Sequence, residues 1–157
     1  MSIVVSDTSP LRALVNLGLQ NILVDLFDEV VVPPAVRFEL AQRGIWQPVE
    51  SLVVVRTPSD HDLVDQLRKT LDAGESEAIA LAIEMKVTTL LMDEAAGRIE
   101  VLRRKLQPVG VLSILARAKD EGLVPLIAPE ILRLPTQFRF FVSDQLVEHI
   151  LKQAGEA

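Results

Sequence analysis

Ile3-Val4-Val5-Ser6-Asp7-Thr8-Ser9-Pro10 joins a short apolar run to a carboxylate and a polar turn. A run of this length, bounded by turn residues, predicts a buried strand. A second apolar run, Thr89-Leu90-Leu91-Met92, also ends in a carboxylate, Asp93. Open α/β sheets place their ligands at the carboxyl ends of their strands. We therefore expect Asp7 and Asp93 to lie at one edge of a sheet, where they suggest a metal site.

Strands and helices alternate along the rest of the chain. The pattern predicts strands at 3–6, 29–32, 52–55, 89–92 and 108–109. It predicts helices at about 11–17, 19–27, 34–42, 60–71 (with Ser59 as its N-cap), 75–85, 94–106, 111–121, 129–133 and 144–154, with a loop at 44–50. Alternation of apolar strands with helices is typical of a doubly wound parallel sheet. The 157 residues fit one domain, in which 125–157 forms a C-terminal helical appendage.

Composition excludes several classes of protein. Cys is absent, so there is neither a disulfide framework nor a Cys-ligated zinc or iron–sulfur site, and two His are too few for a His-rich metal site. No apolar stretch reaches the roughly 18 residues of a membrane-spanning helix, and we expect a cytoplasmic protein without membrane contact. The net charge of −6 means that nucleic acid cannot be held by surface charge alone. Metal ions, a local basic patch or a second subunit would have to contribute.

Four carboxylates are candidate metal ligands. Asp7 and Asp93 end strands, Glu39 lies near the apolar stripe of its predicted helix, and Glu77 lies in the first turn of an apolar helix, with Glu75 as a competitor. Carboxylates without His or Cys favour hard divalent ions, Mg²⁺ or Mn²⁺. Two such ions can activate a water and stabilise the leaving oxygen during cleavage of a phosphodiester.

Each carboxylate also has a structural interpretation. An Asp at a strand end often accepts hydrogen bonds from backbone N–H groups in a turn. The acids at 75, 77 and 93 are also placed where negative charge suits the first turn of a helix. The basic run Arg103-Arg104-Lys105 stands at a helix C-terminus, where cations are expected, and is a weaker candidate for nucleic-acid contact. Spacing alone does not show that the acids converge.

The ordered motifs resemble those of the PIN domain, and most closely those of its DUF3368 group, which is related to VapC-type toxins. The resemblance is carried by Ser6-Asp7-Thr8-Ser9-Pro10-Leu11, Val36-x-x-Glu39-Leu40, Gly74-Glu75-x-Glu77-Ala78-Ile79-x-Leu81-Ala82 and Leu90-Leu91-Met92-Asp93, and it extends through 109–123. It implies a three-layer α/β/α sandwich with a central parallel sheet of about five strands. It also implies a metal-dependent ribonuclease site whose catalytic and metal-binding acids fall on Asp7, Glu39, Glu77 and Asp93.

The resemblance implies supporting residues and partners as well. Thr8, Ser9, Glu75 and Arg98 fall where they would support the acids or meet a phosphate. The implied activity is that of an endoribonuclease toxin, with an RNA substrate, a small antitoxin protein and a homodimeric state.

Two departures from the family pattern stand out. Glu77 replaces the Asp of many relatives, and the stretch 110–115 lacks the usual Thr. An alternative is therefore a non-catalytic PIN-like module that binds a protein or RNA partner.

Overall fold

A computed structural model of the chain describes residues 2–157. The strands are β1 (Ile3–Ser6), β2 (Glu29–Val32), β3 (Val54–Val55), β4 (Thr89–Leu91) and β5 (Gln107–Val109). The helices are α1 (Thr8–Leu17), α2 (Ile22–Leu26), α3 (Pro34–Gln42), α4 (Gln47–Glu50), α5 (His61–Leu67), α6 (Ala73–Met85), α7 (Ala95–Arg103), α8 (Val111–Asp120), α9 (Ala128–Phe138) and α10 (Asp144–Gln153).

The five strands form one parallel sheet in the order β3-β2-β1-β4-β5. The first strand occupies the centre, with Val4 opposite Val30 of β2 and Val5 opposite Leu90 of β4. The chain moves outward from β1 to β2 and β3, and then crosses to the other side of β1 to form β4 and β5. The switch point of the topology therefore lies between the carboxyl ends of β1 and β4, where doubly wound sheets bind ligands.

Successive residues of the central strands point to opposite faces of the sheet, as strand geometry requires. Val4 belongs to one hydrophobic cluster with residues of α1, α2, α8 and α9, whereas Val5 belongs to a second with residues of α5, α6 and α7. Both faces are thus covered, so the five-stranded parallel sheet and the α/β/α sandwich are confirmed. Burial on both faces explains why these strands are continuously apolar.

Several helix boundaries differ from the predicted ones. Asp60, rather than Ser59, accepts a hydrogen bond from the N–H of Leu63 and caps α5, while Ser59 bonds to Glu84. The predicted loop at 44–50 contains α4, which has a proline in its first turn. The ninth helix continues through Pro135 to Phe138 and is longer than the predicted 129–133.

The segment from Pro125 onward packs on the rest of the chain. Ile131 and Leu134 of α9 and Ile150 of α10 are buried in the same cluster as α1 and α8. The separation of 125–157 as an appendage within a single domain stays a prediction. Within residues 2–157 no helix is long and apolar enough to cross a membrane.

Candidate active site

Asp7 stands at the switch point of the sheet. It follows β1 directly, and its backbone N–H donates to the carbonyl of Leu91 in β4 at 2.9 Å. The residue is 3% exposed, although it carries a carboxylate. Its backbone conformation is extended, so α1 begins only at the next residue, Thr8.

Glu39 of α3 reaches the same point. A Cβ atom built on Gly74 of α6 would lie 2.9 Å from Oε1 of Glu39 and 3.1 Å from Oδ1 of Asp7. The missing side chain at Gly74 therefore lets the first turn of α6 approach both carboxylates. The Thr8 hydroxyl donates to the second carboxylate oxygen of Glu39, Oε2, at 2.5 Å and so orients this side chain.

The pKa of Asp7 is shifted by its burial and by the acids around it. Burial raises this pKa well above its usual range, and the charges of Asp72, Glu75 and Glu39 raise it further, against a hydrogen bond from the Thr8 backbone N–H. Buried like charges favour a proton or a cation between them. The cluster around Asp7 is therefore suited to a positive partner.

Glu75 is the acid of α6 that belongs to this cluster. It is 6% exposed, and within residues 2–157 its Oε2 has no hydrogen-bond partner. Burial, a side-chain hydrogen bond to Asp72 and the negative charges of Asp72 and Glu94 raise its pKa to about 7, although the backbone N–H of Asp72 opposes the shift. Buried carboxylate oxygens without a partner are rare, and such an oxygen is suited to accept a cation or a proton.

Glu77 points elsewhere. Its Oε1 accepts a hydrogen bond from the backbone N–H of Ala35, in the first turn of α3, at 3.2 Å. The charge of Glu75 contributes to the raised pKa of Asp7, which links that acid to the cluster. The assignment of Glu77 as a metal ligand stays a prediction.

Asp93 caps the helix that follows β5. Its two carboxylate oxygens lie 3.1 and 3.2 Å from the backbone N–H of Val111, at the start of α8. Burial raises its pKa to about 6, with a contribution from Glu94, while the Val111 N–H and Arg98 act in the other direction. Arg98 donates to the carbonyl of Met92 at 2.9 Å and so lies beside Asp93.

Glu94 faces the cluster from the other side. Ser9 donates its hydroxyl to Oε1 of Glu94 at 3.1 Å. The charge of Glu94 contributes to the raised pKa values of both Glu75 and Asp93. The structure thus links the polar turn after β1 with the acids after β4, as the two apolar runs predicted, but through Glu94.

Two residues of this cluster were missed by the sequence interpretation, Asp72 and Glu94. Asp72 carries a recognisable signal, because Asp-x-x-Glu is typical of a helix N-terminus. Its side chain accepts a hydrogen bond from the N–H of Glu75 at 2.8 Å, so α6 begins at Ala73 and Gly74 lies inside the helix. Glu94 gave no separate signal beside Asp93.

The donor set fits a hard divalent cation in its chemistry. The side chains that meet at Asp7 offer carboxylate oxygens, the ligands that Mg²⁺ and Mn²⁺ prefer. The unpartnered Oε2 of Glu75 leaves one of these oxygens free. In the part of the chain that the structure describes, no three His, Cys, Asp or Glu residues are arranged so that they could hold a metal ion. The carboxylates would have to close further around one.

A doubly wound parallel sheet with carboxylates at its switch point is the class of α/β protein that the fold and the site define. A model of the DUF3368 family, which is described as a PIN domain, matches residues 3–156 of the chain. The chain therefore belongs to this PIN domain family. PIN domains are generally nucleases, and the family therefore indicates a nuclease-type module. Neither a curated protein nor a solved structure matches the chain.

Proposed function

We propose that the chain is a Mg²⁺- or Mn²⁺-dependent endoribonuclease. The observation that carries the proposal is the meeting of Asp7 and Glu39 at Gly74, where burial and then the neighbouring negative charges raise the pKa of Asp7. A nuclease needs positive charge beside the scissile phosphate, and buried carboxylates without cations of their own are suited to bring in metal ions.

Asp7, Glu39 and Glu75 would hold the ion. When bound, a divalent ion offsets charge on the phosphate and lowers the pKa of a water. The remaining contacts position these ligands, because Thr8 orients Glu39 and Asp72 caps the turn that carries Glu75. Such contacts to metal ligands generally matter for affinity.

Asp93 and Glu77 take part under this proposal only if their side chains move. Asp93 would exchange its contact with Val111 for a metal or a water, and Glu77 would leave Ala35. Arg98, beside Asp93, is placed to meet a phosphate.

The test compares Asp7→Asn with Asp25→Asn, which removes a carboxylate from the exposed surface of α2. Each protein is titrated with Mn²⁺ by calorimetry and assayed for cleavage of single-stranded RNA. We expect Asp7→Asn to abolish both binding and cleavage, and Asp25→Asn to keep them. Cleavage at the wild-type rate by Asp7→Asn would reject the proposed site.

The finer biological role is a toxin of the VapC type, controlled by a small antitoxin. The acidic cluster suits a basic side chain, and an antitoxin Arg or Lys inserted there would neutralise it. Expression of the wild type should arrest growth, whereas Asp7→Asn should not. A co-expressed small protein from a neighbouring gene should bind and restore growth. Growth that continues with active enzyme present would remove the toxin role and leave the nuclease.

A homodimer is proposed on the family resemblance alone. Light scattering of the purified chain tests it, since a monomer mass at micromolar concentration would contradict the dimer.

The alternative is a non-catalytic module that binds a protein or RNA partner. It is favoured by the contact of Asp93 with Val111 and by the lack of a ready three-residue ligand set within residues 2–157. It predicts no Mn²⁺-induced rise in melting temperature. A rise that disappears in Asp7→Asn would exclude this alternative, since only binding to the folded state stabilises it.

A further inference from the structure

The segment between α9 and α10 forms one wall of two cavities beside the candidate active site. A cavity of about 250 Å³ is lined by Arg12, Asp93 and Glu94 together with residues 139–142. A second, of about 520 Å³, is lined by Asp93 and Arg98 of the site region and by residues 141–143. Phe141 lines both cavities, so it stands where they meet at Asp93.

Phe141 is held out toward solvent by an anchored backbone. Its side chain is 75% exposed, whereas the preceding Phe140 is buried in the core. The N–H of Phe140 donates to the carbonyl of Leu134 at 2.9 Å, and the guanidinium of Arg12 lies 5.6 Å from the centre of the Phe140 ring. These contacts fix the segment, so the open face of Phe141 keeps its place beside the site.

Positive charge surrounds this exposed ring. Arg12, Arg98 and Arg139 line the two cavities, and no salt bridge of residues 2–157 includes any of them. Guanidinium groups that form no salt bridge are suited to bind phosphates, although that of Arg98 also lies beside Asp93. In a chain of net charge −6 such a local group is where a polyanion can be held.

Exposed aromatic rings next to cations bind single-stranded nucleic acid, because every unpaired base offers a face to stack on. We propose that Phe141 stacks on an unpaired base of an RNA strand whose phosphates are bound by Arg98 and Arg139. This inference rests on the proposed nuclease function and deepens it, since it assigns residues outside the acidic cluster that hold the RNA strand. The stacked nucleotide would lie next to the one whose phosphate enters the acidic site.

The test measures binding and cleavage separately. Binding is measured on the full chain carrying Asp7→Asn, so that RNA is not cut, with a single-stranded oligonucleotide that contains 2-aminopurine, a base whose fluorescence is quenched by stacking. Phe141→Ala is compared with Phe141→Trp, which keeps an aromatic face. The matched control is Phe38→Ala, because Phe38 is 62% exposed and lines neither cavity.

We expect Phe141→Ala to weaken RNA binding by about 5- to 100-fold and to lose the quenching. Phe141→Trp should retain both, and Phe38→Ala should match its parent. With Asp7 intact, Phe141→Ala should raise the KM for RNA more than it lowers kcat. Melting curves check that each variant is folded.

The other outcomes overturn the inference in distinguishable ways. If Phe141→Ala binds RNA with unchanged affinity and quenching while the wild type cleaves RNA, the stacking role is wrong and the proposed function stands. A change of oligomeric state in Phe141→Ala, with unchanged RNA affinity, would assign the surface to a second copy of the chain. A wild type that neither binds nor cleaves RNA would overturn both proposals.

Discussion

Glu75 and Gly97 face each other across the start of two helices. A Cβ atom on Gly97 of α7 would lie 2.5 Å from Oε2 of Glu75 in α6, and it would also collide with the sulfur of Met92. The acid of the cluster is therefore buried by a helix that carries no side chain at the point of contact. This close approach, together with the burial of Gly74 and Ser76 beside it, explains how the Glu75 carboxylate is buried in the first turn of α6.

Gly97→Ala should destabilise the protein by about 1–3 kcal/mol, as overpacking does. In an unobstructed helix the same change stabilises by up to about 1 kcal/mol, so the sign of the effect reports the contact. Urea unfolding measures it. The double variant with Glu75→Ala should recover part of the loss, because only the contact with Met92 remains. A stabilised Gly97→Ala would contradict the packing of α7 on Glu75.

The raised pKa of Glu75 gives stability a defined pH dependence. The pKa in the folded state is about 7 against an ordinary 4.5, so its stabilisation is complete below about 4.5 and is lost as pH rises through 7. The metal-free protein should lose on the order of 1 kcal/mol from this group between pH 5 and pH 8, allowing for solvent screening. Asp7 contributes in the same direction.

Melting temperatures in EDTA across this range test the pH dependence. Glu75→Gln should reduce the loss of stability toward pH 8, because it removes one titrating group. Glu77→Gln is the matched control, since Glu77 faces Ala35 and not Asp7. Equal pH profiles for wild type and Glu75→Gln would show that Glu75 does not titrate as described.

The strands that build the site were predictable from the sequence. Of the acids in the cluster, Asp7, Glu39 and Glu75 were named as candidates, whereas Asp72 and Glu94 were not. Two apolar runs that end in Asp7 and Asp93 were enough to predict the sheet edge. Which way Glu75 and Glu77 face depends on how α6 packs, and the cap by Asp72 makes the helix begin at Ala73, before Gly74. The helix predicted at 75–85 begins after Gly74 and so leaves out that cap. A residue inside a helix is favoured as glycine where a neighbour approaches closely, and only the folded structure shows the neighbours.

The adjacent acids Asp93 and Glu94 show a second feature of the site that could not be predicted from the sequence. Both acids follow β4, and the sequence favoured the first of them. In the structure Asp93 turns toward the N-terminus of α8, while Glu94 receives the hydroxyl of Ser9. The contacts of these two neighbouring side chains are made with segments distant in sequence, which neither residue's spacing encodes.

Asp93 should show its capping role when its side chain is shortened. Asp93→Ala removes the acceptor for the Val111 N–H and should cost about 0.5–2 kcal/mol of stability, as loss of an N-cap does. Asp93→Asn keeps an oxygen acceptor and should retain most of that stability. If chemical denaturation finds the two variants equally stable, the contact with Val111 does not hold α8.

Gly74→Ala should impair metal binding at the site while leaving the stability of the fold nearly unchanged. The added methyl group would crowd the carboxylates of Asp7 and Glu39, while the helix gains propensity by up to about 1 kcal/mol. We expect a melting temperature close to that of the wild type without metal, and a reduced rise on addition of Mn²⁺. An undiminished Mn²⁺-induced rise would mean that the ion does not bind between these carboxylates.

Glu156 holds the last turn of the chain to the core. Its carboxylate bonds to Lys119 at 2.8 Å and to the backbone N–H groups of Ile127 and Ala128. Burial raises its pKa, but these donors prevail and lower it to about 2. The stabilisation is therefore complete above the ordinary value of about 4.5 and is lost as pH falls through 2.

Glu156→Gln should lower the free energy of unfolding at pH 7 by about 1–2 kcal/mol, because it removes a charge-assisted cap at the start of α9. For a chain of this size the melting temperature should fall by roughly 3–6 °C. Glu148→Gln removes a carboxylate of the exposed pair with Lys152 and should have little effect. The difference between the two variants should shrink as pH is lowered toward 2, because the wild-type Glu156 is then protonated. A constant difference over that range would show that the charge of Glu156 is not what stabilises α9.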